Sequence, residues 1–307
     1  MKGLESQKVW TAPKCLICLA TIAFEILQKS TEDPQLQITG MRETYKILKD
    51  FSITGPPTDT ANKIYRMIQK LTNNVDPFKD IKIQSNKLAK ETITRIQEHV
   101  KAATTPLACF QRALAAAIAG NLIDFGTAGH SVNLDADFLE KIYHQIIEEG
   151  FAIDHSDHLF NSLQNSKEII YIADNAGEVY FDLFLLKQLK SQGIKVILVV
   201  KGGPIANDAT MGDVNDPIFD EATTKIITTG TDALGVSMSE SSPEFLDYLQ
   251  SADIIIAKGQ SNFETLYYYQ QKLTNKPIYF IFRTKCSSIA QFLGQTVGKN
   301  VVISKRA

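Results

Sequence analysis

The apolar residues in the first half of the chain recur at the spacing of helices. One apolar stripe covers residues 16–27, and a second covers residues 64–71. Ser85 is a candidate N-cap for a later helix that runs towards Lys101, because serine hydroxyls accept hydrogen bonds from the first turn of a helix. This pattern predicts an all-helical region over residues 1–164.

Two further helices of this region are marked by their ends. Pro106 stands where a first-turn proline opens a helix, and residues 107–119 are nearly all small and apolar. Residues 135–149 are amphipathic and are followed by Gly150, a usual residue just after a helix end. The first of these helices is therefore predicted to be buried, and the second to have one solvent face.

After Asn165 the pattern changes to short apolar runs rich in β-branched residues. The predicted strands are 169–173, 195–200, 225–229, 253–257, 277–282 and 300–304. Helical stretches at 179–191, 243–250 and 263–273 separate several of them. Continuous apolar strands that alternate with helices predict an α/β domain over residues 165–307, with a mostly parallel sheet covered on both faces.

Composition narrows the class of protein. Apolar residues make up 44% and charged residues 21% of the chain, as in soluble globular proteins. The formal net charge is -2 and no basic run occurs, so a nucleic-acid partner has no electrostatic support. No stretch of eighteen apolar residues and no cleavable signal is present, and four cysteines do not make a disulfide framework. We therefore expect a cytoplasmic protein that does not bind membranes.

Ionisable residues and glycines collect just after the predicted strands. Asp174 and Asn175 follow the first strand, Asp208 lies in the loop after the second, and Lys258 and Gly259 follow the fourth. Ligands of open α/β sheets bind beyond the carboxyl ends of the strands. We therefore expect these loops to line one crevice.

The residue types in this crevice suit a divalent cation. Asp174 and Asp208 would raise each other's pKa in a partly desolvated crevice unless a cation neutralised them. Asn175 adds a neutral oxygen ligand. An oxygen-only set with few protein donors suits Mg²⁺ or Mn²⁺, with positions left for water and a substrate phosphate.

Other residues of the same loops suit a phosphate. Lys258 offers a positive charge, and Gly177 and Gly259 would let backbone amides approach an anion. An ordinary interpretation stays open at this point, because Asp and Asn directly after a strand are also common turn and cap residues.

Three ordered motifs in these loops resemble the signatures of the damage-control phosphatases, a metal-dependent family long classed as a domain of unknown function. The motifs are Asp174-Asn175-Ala176-Gly177-Glu178 with Phe181-Asp182, Lys201-Gly202-x-Pro204-Ile205-x-Asn207-Asp208-Ala209-Thr210 with Asp213, and Asp253-x-x-x-x-Lys258-Gly259-Gln260-x-Asn262-x-Glu264. Further matches are Gly120-Asn121-x-Ile123-Asp124-Phe125-Gly126, Cys15-x-x-Cys18 and Lys285-Cys286. The resemblance covers nearly the whole chain, and the paired cysteines and short length resemble the microbial-type branch.

The resemblance implies a helical region joined to a Rossmann-like three-layer α/β/α domain. It implies hydrolysis of phosphate monoesters of small metabolites, such as sugar phosphates and damaged or side-product phosphometabolites. The implied metal ligands are Asp174, Asn175 and Asp208, for Mn²⁺, Co²⁺, Ni²⁺ or Mg²⁺, and Lys258 is implied to contact phosphate.

Several motif residues are expected to orient the substrate or its leaving group. These are Glu178, Asn207, Asn262 and Glu264. Asn121 and Asp124 follow the predicted buried helix, where they either terminate it or extend into the crevice. The nucleophile stays open between one of the catalytic aspartates, Asp174 or Asp208, and a water molecule.

The cysteines and histidines allow less specific predictions. Cys15 and Cys18 are either buried thiols on a helix or part of a metal or redox site, which Cys286 could join in space. His155 and His158 have helical i, i+3 spacing, for which surface polarity near a helix start is the simpler interpretation.

Two other functions compete with the phosphatase. A carboxyl methyltransferase that uses S-adenosylmethionine would need a glycine-rich loop after the first strand and an acidic residue at the end of the second, where this chain has Lys201. A non-catalytic module that binds phosphorylated ligands could dispense with the two aspartates. The sequence does not fix the substrate or the oligomeric state.

Overall fold

The computed structural model describes residues 11–122 and 135–305, in which the chain forms twelve helices and seven strands. The helices are α1 (Lys14–Ser30), α2 (Pro34–Leu48), α3 (Thr58–Thr72), α4 (Lys79–Lys101), α5 (Pro106–Gly120), α6 (Ala136–Glu149), α7 (Ser156–Leu163), α8 (Glu178–Ser191), α9 (Pro217–Ala222), α10 (Pro243–Ser251), α11 (Gln260–Leu273) and α12 (Ser287–Phe292). The strands are β1 (Ile153–Asp154), β2 (Glu168–Ile172), β3 (Lys195–Val200), β4 (Lys225–Thr228), β5 (Ile254–Lys258), β6 (Ile278–Arg283) and β7 (Asn300–Lys305).

The seven strands form one sheet in the order β1-β7-β6-β5-β2-β3-β4. All neighbouring strands are parallel except β6 and β7. The chain moves outward from β2 through β3 to β4 and then returns to place β5 on the other side of β2. The strand order therefore reverses between β2 and β5, which is where open α/β sheets form their ligand crevice.

The inner strands are apolar on both faces because helices cover both faces of the sheet. In β2, Ile169 and Tyr171 pack into one core, and Ile170 and Ile172 pack into the other. The first core also contains residues of α4, α5, α6 and α8, and the second contains residues of α10, α11 and α12. The predicted mixed α/β fold with a mostly parallel sheet is confirmed.

Helix α8 is buried almost all round because it packs against the sheet and against α4, α5 and α9. At the contact with α5, a Cβ atom on Gly120 would lie 3.0 Å from Cβ of Phe181 and 3.1 Å from Cα of Glu178. This close approach brings the end of α5, and hence Asn121, to the first turn of α8.

The predicted helical region divides into two parts. Helices α1, α2 and α3 form a separate apolar cluster with the loop residue Ile205. Helices α4 to α6 instead share the sheet core. Strand β1 and α7 also precede residue 165, so sheet structure begins before the predicted boundary at 164/165. A two-residue strand is too short to show a periodic pattern.

The N-terminal ends of three helices can be compared with the caps that the sequence predicts. Thr105 caps α5 and Asp135 caps α6, through hydrogen bonds from the backbone N–H groups of Ala108 and Phe138. The prediction for Ser85 is wrong, since α4 begins at Lys79 and the Ser85 hydroxyl donates to the carbonyl of Ile81 inside the helix. A mid-helix serine is satisfied by the carbonyl four residues earlier.

Within residues 11–122 and 135–305, no helix combines the length and the apolar composition needed to cross a membrane.

Candidate active site

Backbone hydrogen bonds join the loop after β2 to the loop after β3. The N–H of Ala209 donates to the carbonyl of Asp174 at 2.8 Å, and the N–H of Ala176 donates to the carbonyl of Asn207 at 2.8 Å. Asn175 and Asp208 thereby form an isolated antiparallel bridge. Three residues predicted from the sequence as metal ligands, Asp174, Asn175 and Asp208, are thus brought together and buried.

The loop after β5 closes on the same point. Gly259 has φ +78°, and a Cβ atom there would lie 1.9 Å from Oδ2 of Asp174. The Nδ2 of Asn262 donates to the carbonyls of Ala173 and Lys258, at 3.0 and 2.8 Å. Asn262 therefore ties the end of β2 to the first turn of α11, and only glycine at position 259 leaves room for the Asp174 carboxylate.

Two amide groups hold Asp174 beside Glu178. The Nδ2 of Asn121 donates to Oδ2 of Asp174 at 3.1 Å and to Oε2 of Glu178 at 2.8 Å. The Nδ2 of Asn175 donates to the same two oxygens at 3.0 Å each. Asn121 therefore has both of the roles left open for it, since it is the C-cap of α5 and its side chain reaches the crevice.

Lys258 lies beneath these amides in a fully buried ion pair. Its Nζ donates to Oε1 of Glu178 at 2.6 Å, to Oδ1 of Asp182 at 2.8 Å and to the carbonyl of Ala117 at 2.9 Å. Since an ammonium has three hydrogens, these acceptors use all of them. A contact between Lys258 and a phosphate, which the resemblance implied, would need a different arrangement of this side chain and stays a prediction.

The carboxylates of the site perturb one another. Burial, then the like charges of Glu178 and Asp208, raise the pKa of Asp174 well above its ordinary range, although Lys285 and Lys258 act in the opposite direction. Burial, with the charge of Glu178, also raises the pKa of Asp182 to about 6 against the effect of Lys258. Burial is the main cause of both shifts, and the neighbouring carboxylates add to it.

A divalent cation would suit the surplus of carboxyl groups in the site. Lys201 lies near the fourth of them, with its Nζ 3.5 Å from Oδ2 of Asp208. The site thus holds four buried carboxyl groups (Asp174, Glu178, Asp182 and Asp208) and two buried lysines (Lys201 and Lys258). The oxygen donors that the crevice offers are those expected for Mg²⁺ or Mn²⁺, so the residues fit the implied metal. In the described parts of the chain, no cluster of three or more His, Cys, Asp or Glu side chains forms a metal site by itself.

The two glycines predicted to offer amides to an anion serve close packing instead. The N–H of Gly177 donates to Oδ1 of Asn86 at 2.7 Å, and the N–H of Gly259 donates to the carbonyl of Ile281 at 3.1 Å. Gly177 has φ +77°, and a Cβ there would lie 2.9 Å from Ser85. Both N–H groups are thus engaged within the protein, which differs from the expectation.

The remaining predicted residues lie at different depths. Asn207 is buried in the joined loops. Glu264 lies one turn into α11, where it accepts a hydrogen bond from Gln260, and burial raises its pKa to about 7. Asp124 lies outside the described residues. Substrate-binding roles for these positions stay predictions.

The sequence pattern did not predict the contacts of two charged residues at the site, Asp182 and Lys201, although both belong to the motifs. Asp182 lies four residues after Glu178, on the same face of α8, and this spacing was the available signal. Lys201 directly follows β3, and its ammonium group donates to the carbonyl of Gly235 at 2.6 Å. Nothing in the local sequence indicates that contact, because it depends on the fold.

The three cysteines of interest do come close together. Cys18 is exposed and Cys15 is half-buried, so the expectation of two buried thiols is wrong. Partial desolvation raises the pKa of the Cys18 thiol, and the neighbouring Cys286 and Cys15 add to the effect. His155 and His158 make separate contacts, with Ser304 of β7 and Tyr279 of β6. The simpler interpretation of the histidines fits these contacts.

Comparisons with known proteins identify the family and support the fold. A sequence model described as the damage-control phosphatase ARMT1-like domain matches residues 11–301. An uncharacterised protein of Methanocaldococcus jannaschii is 36% identical over 304 residues, which are 98% of this chain and 97% of the relative. The damage-control phosphatase of Pyrococcus horikoshii is 33% identical over 282 residues, 91% of this chain and 93% of the relative.

A solved structure gives the same result. The crystal structure of a DUF89 family protein from Pyrococcus horikoshii superposes with a TM-score of 0.84 at 31% identity, and the match covers 95% of this chain and 98% of that one. The fold and the strand-end crevice define a Rossmann-like α/β protein with a helical N-terminal region. The chain belongs to the damage-control phosphatase family.

Proposed function

We propose that this protein is a metal-dependent phosphatase that hydrolyses phosphate monoesters of small metabolites. The observation that carries the proposal is the convergence of Asp174, Asn175 and Asp208 at the reversal point of the sheet, inside a site with more buried carboxyl groups than buried lysines. The family and the name of the Pyrococcus relative support the reaction class. Sugar phosphates and damaged or side-product phosphometabolites are the proposed substrates, and the cytoplasm is the proposed location.

The roles of the side chains follow from their chemistry. Asp174, Asn175 and Asp208 would hold Mn²⁺, Co²⁺, Ni²⁺ or Mg²⁺. When bound, such an ion supplies Lewis-acid polarisation of the phosphoryl oxygen. Lys201 is fixed by its hydrogen bond to the carbonyl of Gly235, and its ammonium group lies next to the Asp208 carboxylate. This ion pair would restrict the orientation of that carboxylate.

A second candidate to contact the substrate phosphate lies just after β6. Lys285 is exposed there, and its charge lowers the pKa of Asp174 more than that of Lys258 does. Because the ammonium hydrogens of Lys258 are all used, we assign the first contact with an incoming phosphate to Lys285. Lys258 then has an indirect role, in which its positive charge compensates the carboxylates of Glu178 and Asp182.

The test is phosphate release by protein that has been stripped with a chelator. Activity towards p-nitrophenyl phosphate and a panel of sugar phosphates should be absent after stripping and should return with Mn²⁺, Co²⁺, Ni²⁺ or Mg²⁺. We expect Asp208→Ala to lower kcat/KM by about 100-fold or more, because the lost contribution is several kcal/mol.

The matched control is Asp216→Ala, which removes a carboxylate that caps α9 and pairs with Lys90 outside the crevice. It should keep wild-type activity. Full activity of Asp208→Ala, or a wild type that releases no phosphate with any of the four metals, would contradict the proposal.

A further inference from the structure

Two asparagine side chains share one pair of carboxylate oxygens. Oδ2 of Asp174 and Oε2 of Glu178 each accept from both Asn121 and Asn175, at distances between 2.8 and 3.1 Å. All four side chains are buried. Each amide therefore bridges the same two carboxylates, and Glu178 takes half of the four hydrogen bonds.

This bridge decides how the Asn175 amide is turned. Only the NH₂ end of an amide can face two carboxylate oxygens, because the carbonyl end has no hydrogen to donate. The Oδ1 atom of Asn175 must therefore point away from Asp174 Oδ2 and Glu178 Oε2. A hard divalent cation binds the oxygen of an amide and not its nitrogen, so this orientation is the one that makes Asn175 a ligand.

Glu178 is itself held in place from the other side. Its side chain is fully buried, and its second oxygen, Oε1, accepts from Lys258 at 2.6 Å. A buried carboxylate without a cation would be costly. Lys258 thus keeps Glu178 in position for the two amides, while Asp182 accepts from the same ammonium at 2.8 Å.

We propose that Glu178 is a positioning residue of the metal site, which fixes the Asn175 amide with its oxygen towards the cation and does not contact the substrate. This proposal rests on the proposed metal-dependent function. It changes the role expected of Glu178 from the sequence, where it was a candidate for orienting the substrate. It also gives a reason for the fully buried lysine below the crevice.

The test compares two substitutions on either side of the same lysine. Glu178→Gln keeps the shape of the side chain but sets an NH₂ group against either Lys258 or the two asparagine amides, so donors face donors. Asp182→Asn is the matched control, since Asp182 also accepts from Lys258 but none of its described hydrogen bonds involves Asn121 or Asn175. Mn²⁺ binding is measured by electron paramagnetic resonance of the free ion, and folding by circular dichroism.

We expect Glu178→Gln to weaken Mn²⁺ binding by about 10- to 100-fold, as other residues that orient metal ligands do. Asp182→Asn should change it by less than about threefold, because that variant leaves the amide bridge intact. Equal effects of the two variants would mean that only charge matters, and unchanged Mn²⁺ affinity in Glu178→Gln would mean that the bridge does not orient the ligand. Either result overturns the proposal.

If Glu178→Gln does not fold, Glu178→Asp takes its place, because it keeps the negative charge beside Lys258 but shortens the side chain that accepts from the Asn175 amide. It should weaken Mn²⁺ binding severalfold, and wild-type affinity would overturn the proposal. A wild type that binds Mn²⁺ and releases phosphate while these variants bind normally contradicts only the role of Glu178. A wild type that binds no divalent metal contradicts both this inference and the proposed function.

Discussion

At the scale of single residues, the site depends on a few positions at which a small residue lets backbone and side-chain groups of different loops come into close contact. Gly259 is the clearest of these. Its backbone angles (φ +78°, ψ 165°) belong to a region that is essentially restricted to glycine, and its Cα lies against the Asp174 carboxylate. Glycine is therefore required in the third motif because a side chain would clash with Asp174, a proposed metal ligand, and the N–H of Gly259 donates to the carbonyl of Ile281.

We predict that Gly259→Ala abolishes Mn²⁺ binding and phosphatase activity, because a Cβ 1.9 Å from Oδ2 of Asp174 must displace that carboxylate. Gly193→Ala is the matched control, since Gly193 has a similar φ of +81° but no atom within 4 Å of the added Cβ. The control should lose about 1–2 kcal/mol of stability from backbone strain and keep Mn²⁺ affinity. Isothermal titration with Mn²⁺ measures the difference, and equal binding by both variants would contradict the prediction.

At the scale of elements, the loop after β3 connects the site to the N-terminal helices. Its two ends are paired, since Lys201 and Thr210 form a parallel bridge. Between them, Ile205 is buried in the apolar cluster of α1, α2 and α3. The helical cluster thus anchors the loop three residues before Asp208, which gives the N-terminal helices a part in positioning a metal ligand.

This anchoring predicts different effects for two similar core substitutions. Ile205→Ala and Ile64→Ala each remove the same atoms from the same cluster, where both side chains are 1% exposed. Each should cost about 2–5 kcal/mol in the free energy of unfolding. Only Ile205→Ala should also weaken Mn²⁺ binding, because only Ile205 belongs to the loop that carries Asp208. Chemical denaturation and Mn²⁺ titration measure the two effects, and the same Mn²⁺ affinity in both variants would refute the anchoring role.

The elements themselves were predictable where they are long. The six strands predicted from apolar runs lie within about one residue of β2 to β7, because a strand buried on both faces must be continuously apolar. Helices α9 and α12 have six residues each and β1 has two, which is too short for a periodic pattern. Ser85 resembles an N-cap in the sequence, but it lies inside α4, where its hydroxyl donates to the carbonyl of Ile81.

At the scale of the whole molecule, the site joins several parts of the fold. Asp174, Glu178 and Lys258 come from the sheet domain and its helix α8, Asn121 follows a helix of the N-terminal region, and Gly177 packs against Ser85 of α4. A cation bound at the crevice would stabilise contacts between these parts. Its binding should therefore raise the stability of the whole chain.

We predict that saturating Mn²⁺ raises the melting temperature of the chelator-treated protein. A concentration of 100 times the dissociation constant contributes about 2.7 kcal/mol, which corresponds to a shift of roughly 5 °C for a chain of this size. Differential scanning calorimetry measures the shift. Asp208→Ala should show none, and an equal shift in that variant would place the stabilising cation elsewhere on the molecule.

The sequence by itself determined the fold class, the strands and the loops that form the site. Those features depend on local patterns, because burial on two faces makes strands apolar and the ends of parallel strands meet at one edge. Asp174, Asn175 and Asp208 could be selected in this way, since each lies just after a predicted strand in a motif that resembles a known family.

Only the tertiary structure decided which partners the charged and polar side chains next to the proposed metal ligands have. The sequence predicted a contact of Lys258 with phosphate and of Glu178 with substrate, and the fold adds that both are buried in ion pairs that include Asp182, next to the proposed metal ligands. It also decided that Asn121 reaches Asp174, from a position 53 residues earlier in the chain. Residue types specify which partners are chemically possible. The choice among them depends on which side chains α5, α8 and β5 bring within hydrogen-bond distance, and this follows from packing over the whole chain.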